Sequence, residues 1–187
     1  MKQKHLLKGL ALGVLLLTGC SSNLDSVTVN TMTIEKDGRL QDVSVEDYSG
    51  VDYDMSSLEE FINQEISDYN TQAGADSVVL SKLEIDGTMV KLLLSYADME
   101  DYNAFNHTNY EYGNLADMKL SGDFTSVADG STVKAADIQD AGVKVLKIED
   151  AMNIVCKSGV LYYNSNVTAE NDVFTASGEG TAIIILK

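Results

Sequence analysis

Apolar and polar residues alternate from Val27 to Lys36, and again from Leu40 to Val45, with Asp37-Gly38 between the two runs. Alternation of period two with β-branched side chains marks a strand buried on one face. A two-residue Asp-Gly link supplies the positive-φ backbone of a tight hairpin. The same arrangement returns at Val78 to Ile85 and Met89 to Tyr96, around Asp86-Gly87. There Leu92-Leu93-Leu94 interrupts the alternation, which predicts a central strand covered on both faces. Between the hairpins the period becomes helical: Leu58, Phe61, Ile62, Ile66 and Tyr69 form one apolar face, predicting a helix over about 57–70. Ser56 and Ser57, followed three residues on by Glu59 and Glu60, have the capping-box pattern. The opposite face carries Glu59, Glu60, Asn63, Gln64 and Asp68, so this helix is expected to lie on a sheet. Asp98 is placed to cap a shorter helix reaching about residue 106, with Met99, Tyr102 and Phe105 or Asn106 turned inward.

From Phe124 onward the signals are those of strands. Asp129-Gly130 separates short runs, Val143 to Ile148 alternates, Ser158-Gly159 joins Ile154–Cys156 to Val160–Tyr163, and Ala182 to Leu186 is a closing apolar run. Asn109 to Gly122 holds both glycine and a candidate short helix around Leu115 to Leu120. The expected fold is α+β: antiparallel β-hairpins, one or two helices packed on the sheet, and a β-rich C-terminal half. Residues 27–187 are read as a single domain, with 109–122 the place where a subdomain break would fall.

Ahead of this domain, Lys2, Lys4 and Lys8 precede an apolar run from Leu10 to Leu17, and Leu17-Thr18-Gly19-Cys20 closes it. A basic start, a short apolar stretch and a small-residue exit make a secretory signal. The stretch is shorter than the roughly 18 residues that cross a bilayer as a helix. The four closing residues resemble the lipobox of bacterial lipoproteins. That resemblance implies removal of residues 1–19, diacylglycerol on the sulfur of Cys20, and an acylated new N-terminus. Residues 20–26 then form a lipidated cysteine and a tether reaching about 20 Å. The expected location is the cell membrane, lipid-anchored, on its extracytoplasmic side. The hairpin-helix-hairpin-helix order is similar in style to small uncharacterised lipoproteins of Gram-positive bacteria, a likeness that brings no functional residues with it.

Charge narrows the partners. The chain has 13 basic and 29 acidic residues, and the signal removes three lysines and no acid, leaving a net charge near −19. Such a surface repels phosphate backbones and anionic head groups, so nucleic acid is excluded and membrane contact falls to the lipid. With Cys20 modified, Cys156 stands alone and reads as a small apolar residue in a strand. His107 is the one histidine left after cleavage. A Cys-His enzyme has no local motif, and one histidine with one thiol does not build a zinc site. No calcium loop of the hand type appears, and Asp47, Asp52 and Asp54 are the nearest approach to a divalent cluster. No metal or cofactor is expected.

Tyr102, Phe105, Tyr110 and Tyr112 gather near a helix end and the following loop. Tyrosines outside a core period combine apolar area with a polar tip, as recognition surfaces do. Tyr102, Tyr110 and Tyr112 are therefore the candidate binding residues, and alanine at Tyr110 and Tyr112 is expected to abolish binding without loss of thermal stability. The function expected is that of a non-catalytic, lipid-anchored binding or interaction domain, for an envelope protein or a wall-derived ligand. The alternative is a carboxylate-based hydrolase of the cell envelope, which needs a cleft with two facing carboxylates.

Overall fold

The computed structural model describes residues 24–49, 57–139 and 142–187. Both expected hairpins form. Strands β1 (Thr31–Ile34) and β2 (Leu40–Asp47) pair antiparallel, as do β3 (Val78–Asp86) and β4 (Met89–Tyr96). Pairing of β2 with β4 along their whole lengths fuses them into one sheet. Helix α1 (Leu58–Ala73) packs on β3, and the short helix α2 (Met99–Asn106) packs on β3 and β4.

The remaining strands are β5 (Glu111–Asn114), β6 (Asp123–Ser126), β7 (Thr132–Lys134), β8 (Lys144–Ile148), β9 (Ala151–Cys156), β10 (Val160–Asn164), β11 (Val167–Glu170), β12 (Val173–Ser177) and β13 (Ala182–Leu186). The first sheet has the order β11-β12-β9-β1-β2-β4-β3, antiparallel except where β1 lies parallel to β9. The second, β5-β8-β13-β10-β6-β7, is antiparallel throughout. The fold is α+β with a β-rich C-terminal half.

One core joins the parts. Met32, Ile34, Leu94 and Ile154 of the first sheet meet Leu146, Ile148, Ile184 and Leu186 of the second, with Leu58, Ile62 and Ile66 of α1 and Tyr102 of α2. The chain changes sheet at five points between β4 and β13, the first of them between Tyr96 and Glu111, so 109–122 lies mostly within the second sheet's own stretch of chain. Ser158-Gly159 is such a crossing and not a hairpin turn. β9 already has β1 on one edge and β12 on the other, leaving no edge for β10, which pairs with β6 and β13.

The outer faces are covered as well. Phe124, Val143, Val145 and Ile185 pack beneath Leu115, Met118 and Ile138, so the central strands of the second sheet are buried on both sides. On the first sheet, Leu24 is fully buried against Val43 and Leu93. Leu93 thus faces outward while Leu94 faces the shared core, as the triple leucine predicts. Leu24 thus packs within the fold although it lies inside the expected tether, residues 20–26.

Three local expectations differ. Phe61 is 55% exposed, because Leu58, Ile62 and Ile66, four apart, already fill the contact stripe. Ser57 takes the N-cap position with helical backbone and no side-chain cap bond; Ser56 lies outside the described residues. The helix expected around Leu115 to Leu120 shrinks to a single 3-10 turn, Leu115–Asp117, because the preceding residues pair with β8 and Leu115 N–H donates to the Val143 carbonyl. Among the described residues, no helix is long and apolar enough to cross a membrane.

Candidate functional site

Asp98 starts the site by accepting the Asp101 amide at 3.0 Å, a cap that sets the first turn of α2. The helix ends at His107, in the left-handed region at φ 56°, and the chain turns through Thr108 and Asn109 into β5. An asparagine fixes that return. The Asn103 amide nitrogen donates to the Tyr110 carbonyl at 2.8 Å, and its oxygen accepts the Tyr110 N–H at 2.9 Å and the Thr108 hydroxyl at 2.8 Å. Its carboxamide thus pairs with Tyr110 as a neighbouring strand would.

Two adjoining grooves flank this turn. The first, an open groove of about 590 Å³, runs between α2 and β5 and is lined by Met99, Glu100, Asn103, His107, Tyr110 and Tyr112, among others. The second, about 410 Å³, shares His107 to Tyr110 and continues over Glu111, Lys119, Lys147, Glu149 and Asp150. Its charges are largely engaged. Lys147 pairs with Glu111 at 2.8 Å, the Tyr110 hydroxyl donates to Asp150, and Glu149 accepts from Thr181 at 3.4 Å.

The tyrosines expected to form a surface are mostly interior. Tyr102 is 4% exposed and Tyr110 7%, their rings stacked with centroids 5.6 Å apart. Tyr96 meets Tyr102 edge to face at 4.9 Å, and Asn106 donates to the Tyr96 hydroxyl at 3.0 Å. Burial pushes the Tyr102 and Tyr110 phenols far above the ordinary range, and for Tyr110 the bond to Asp150 adds to the effect. Tyr110 lines both grooves yet is almost wholly buried, so its replacement by alanine disturbs the core, contrary to the expectation of unchanged stability. Tyr112 is half-buried, packs against the same core and lines the first groove.

Beneath these rings lies a group the pattern reading passed over. Asp42, 5% exposed, stands on the inner face of β2, its register partners Met32 and Leu94. The Ser44 hydroxyl donates to it at 2.9 Å, yet burial lifts its carboxyl to about 6. Its field contributes to the raised values of Tyr96, Tyr102 and Tyr110. The signal was the phase of β2: with Leu40 inward, Asp42 must be inward too.

Cys20, Asp52 and Asp54 lie outside the described residues. Asp47 spends its carboxylate on a turn, accepting from Ser49 N–H at 2.8 Å and from the Thr88 hydroxyl at 2.9 Å. Among the described residues, no group of three His, Cys, Asp or Glu side chains is gathered to hold a metal. Cys156 sits in β9 against the core, and burial pushes its thiol up to about 12, which keeps it un-ionised at neutral pH. His107 is exposed at the helix end. No family model, no curated protein and no solved structure matches this chain.

Proposed function

We propose that this protein is a lipid-anchored, extracytoplasmic binding domain of a bacterial envelope, held through Cys20 and recognising its partner without catalysis. The observation that carries the reading is the close succession of anchor and fold. Cys20, the cysteine of a lipobox-like run, stands four residues before Leu24, which is fully buried on the outer face of the first sheet. A link that short spans at most about 14 Å, so the domain rides against the bilayer with that sheet face toward it. Both grooves involve α2 or its following turn, and α2 packs on the face of the first sheet opposite Leu24. Confinement at a surface raises the effective concentration of a partner, which suits an open groove of modest affinity.

Hydrolysis is less well supported. Among the described residues, the one carboxyl that burial raises, Asp42, is sealed in the core, and at the second groove Glu111 and Asp150 are already bonded to Lys147 and Tyr110.

The test is performed in intact cells. Cys20→Ala is expected to stop incorporation of labelled fatty acid and release the protein to the medium. Crosslinking followed by affinity recovery is expected to yield a stoichiometric envelope partner from the parent alone. Continued labelling of the variant would discard the anchor, and recovery of the parent without any partner would discard the interaction.

A further inference from the structure

β5 is an edge strand, paired with β8 on one side and with no strand on the other among the described residues. Which of its backbone groups face outward follows from one bond. Leu115 N–H donates to the Val143 carbonyl, so Leu115, Gly113 and Glu111 bond toward β8. In an antiparallel ladder the alternate residues point the other way, here Tyr110, Tyr112 and Asn114. Tyr110 confirms the phase, since its N–H and carbonyl are taken by Asn103 of α2. Beyond that pair the outward edge continues at Tyr112, which lines the open groove between α2 and β5, and at Asn114, the last residue of β5.

We propose that this groove receives an extended, basic peptide segment that adds to the second sheet as a strand along β5. The idea rests on reading the protein as a binding domain and names that domain's partner. Strand addition at an exposed edge draws affinity from backbone hydrogen bonds and specificity from alternate side chains. Asn103 already makes the first rung in side-chain form, and the peptide supplies the next ones at Tyr112 and Asn114. Charge selects the occupant. Asp98, Glu100 and Asp101 line the start of α2, with no basic residue in its last turn. Of the lysines nearby, Lys147 is paired with Glu111 at 2.8 Å, while Lys144 donates to the neutral Asn114 amide at 2.7 Å and Lys119 lines the adjoining groove. A second copy of this chain is a poor occupant, because two chains with a net charge of −16 each repel.

The probe is a fluorescein-labelled octapeptide of alternating lysine and valine, titrated into the full chain in mild non-ionic detergent and followed by anisotropy. Two controls accompany it: the same peptide with every backbone nitrogen methylated, and an octapeptide of alternating glutamate and valine. Binding of the first at least tenfold tighter than both controls is expected, with hydrogen-exchange protection gained at Tyr112 and Asn114. Asn114 has φ −71°, which proline adopts without strain, so Asn114→Pro removes one outward N–H while Asn114→Ala keeps it. The proline variant is expected to bind tenfold or more weakly, and the alanine variant as the parent does. Equal binding of the methylated peptide, or protection elsewhere, overturns the proposal; both are read on the parent protein and need no variant to fold. If no peptide binds while a partner is crosslinked in cells, strand addition falls and the binding domain stands. If neither is found, the binding reading falls with it.

Discussion

Asp42 shows how one side chain makes stability depend on pH. Its carboxyl ionises at 3.8 in an open chain and at about 6 in the fold, because burial penalises the charged form. Between those values the folded protein keeps a proton that the unfolded chain has released, so this contribution favours folding at low pH and is lost as pH rises through about 6. The difference amounts to about 3 kcal/mol. Asp37, Asp47 and Asp129 are lowered by hydrogen bonds, foremost from Arg39, Ser49 and Ser131, and tilt stability the other way in acid. Subtracting parent from variant cancels them. Asp42→Asn keeps an acceptor for Ser44 and cannot ionise, so its stability gain over the parent in urea unfolding should be small at pH 4 and approach about 3 kcal/mol at pH 7.5. A gain independent of pH would show that Asp42 does not titrate in this range. The sequence carried the information for this residue in the inward phase of Leu40 and Asp42, while the tyrosines misled. Spacing cannot distinguish Tyr110 at the end of a core cluster from Tyr110 on a surface, because the core residues that bury it include Leu146, Ile148 and Ile184, far along the chain.

Among the elements, the hairpins were legible because their turns are local: Asp-Gly fixes the link and alternation fixes the face. Helix α2 was legible through its Asp98 cap. The outer cover of the first sheet was not, since a single leucine beside the tether carries no period. Leu24 nevertheless closes a small separate core with Val43 and Leu93, while its carbonyl accepts Lys91 at 2.7 Å and Val27 N–H at 3.0 Å. Leu24→Ala removes the central side chain and leaves both backbone bonds available. The expected loss is about 2–5 kcal/mol, the range for truncating a buried leucine to alanine. Urea unfolding gives the loss, and hydrogen exchange should quicken first at Val27. A loss under about 0.5 kcal/mol, the scale of surface changes, would mean that the folded domain starts after the 3-10 turn Leu24–Ser26.

The molecule as a whole is set by the pairings that short-range patterns do not encode: β1 with β9, and a core shared by two sheets and two helices. Repeated crossing between the sheets makes cooperative folding the expectation. Cutting the chain after Tyr110 removes β5 to β13, leaving β1 without its parallel partner and Met32, Ile34 and Leu40 without most of the surface they pack on. Exposing three such side chains costs about 1.5–3 kcal/mol each. That is the size of the whole stability of an ordinary domain, about 5–15 kcal/mol. A fragment of residues 24–110 should therefore show no cooperative unfolding transition, whereas the full chain should lose far-ultraviolet and tyrosine near-ultraviolet circular dichroism in one coincident step. Separate midpoints for the two signals, or a cooperative transition in the fragment, would instead make strands β1 to β4 with their helices an independent unit. The boundary would then fall within 109–122, and the groove between α2 and β5 would open and close with the movement of two bodies.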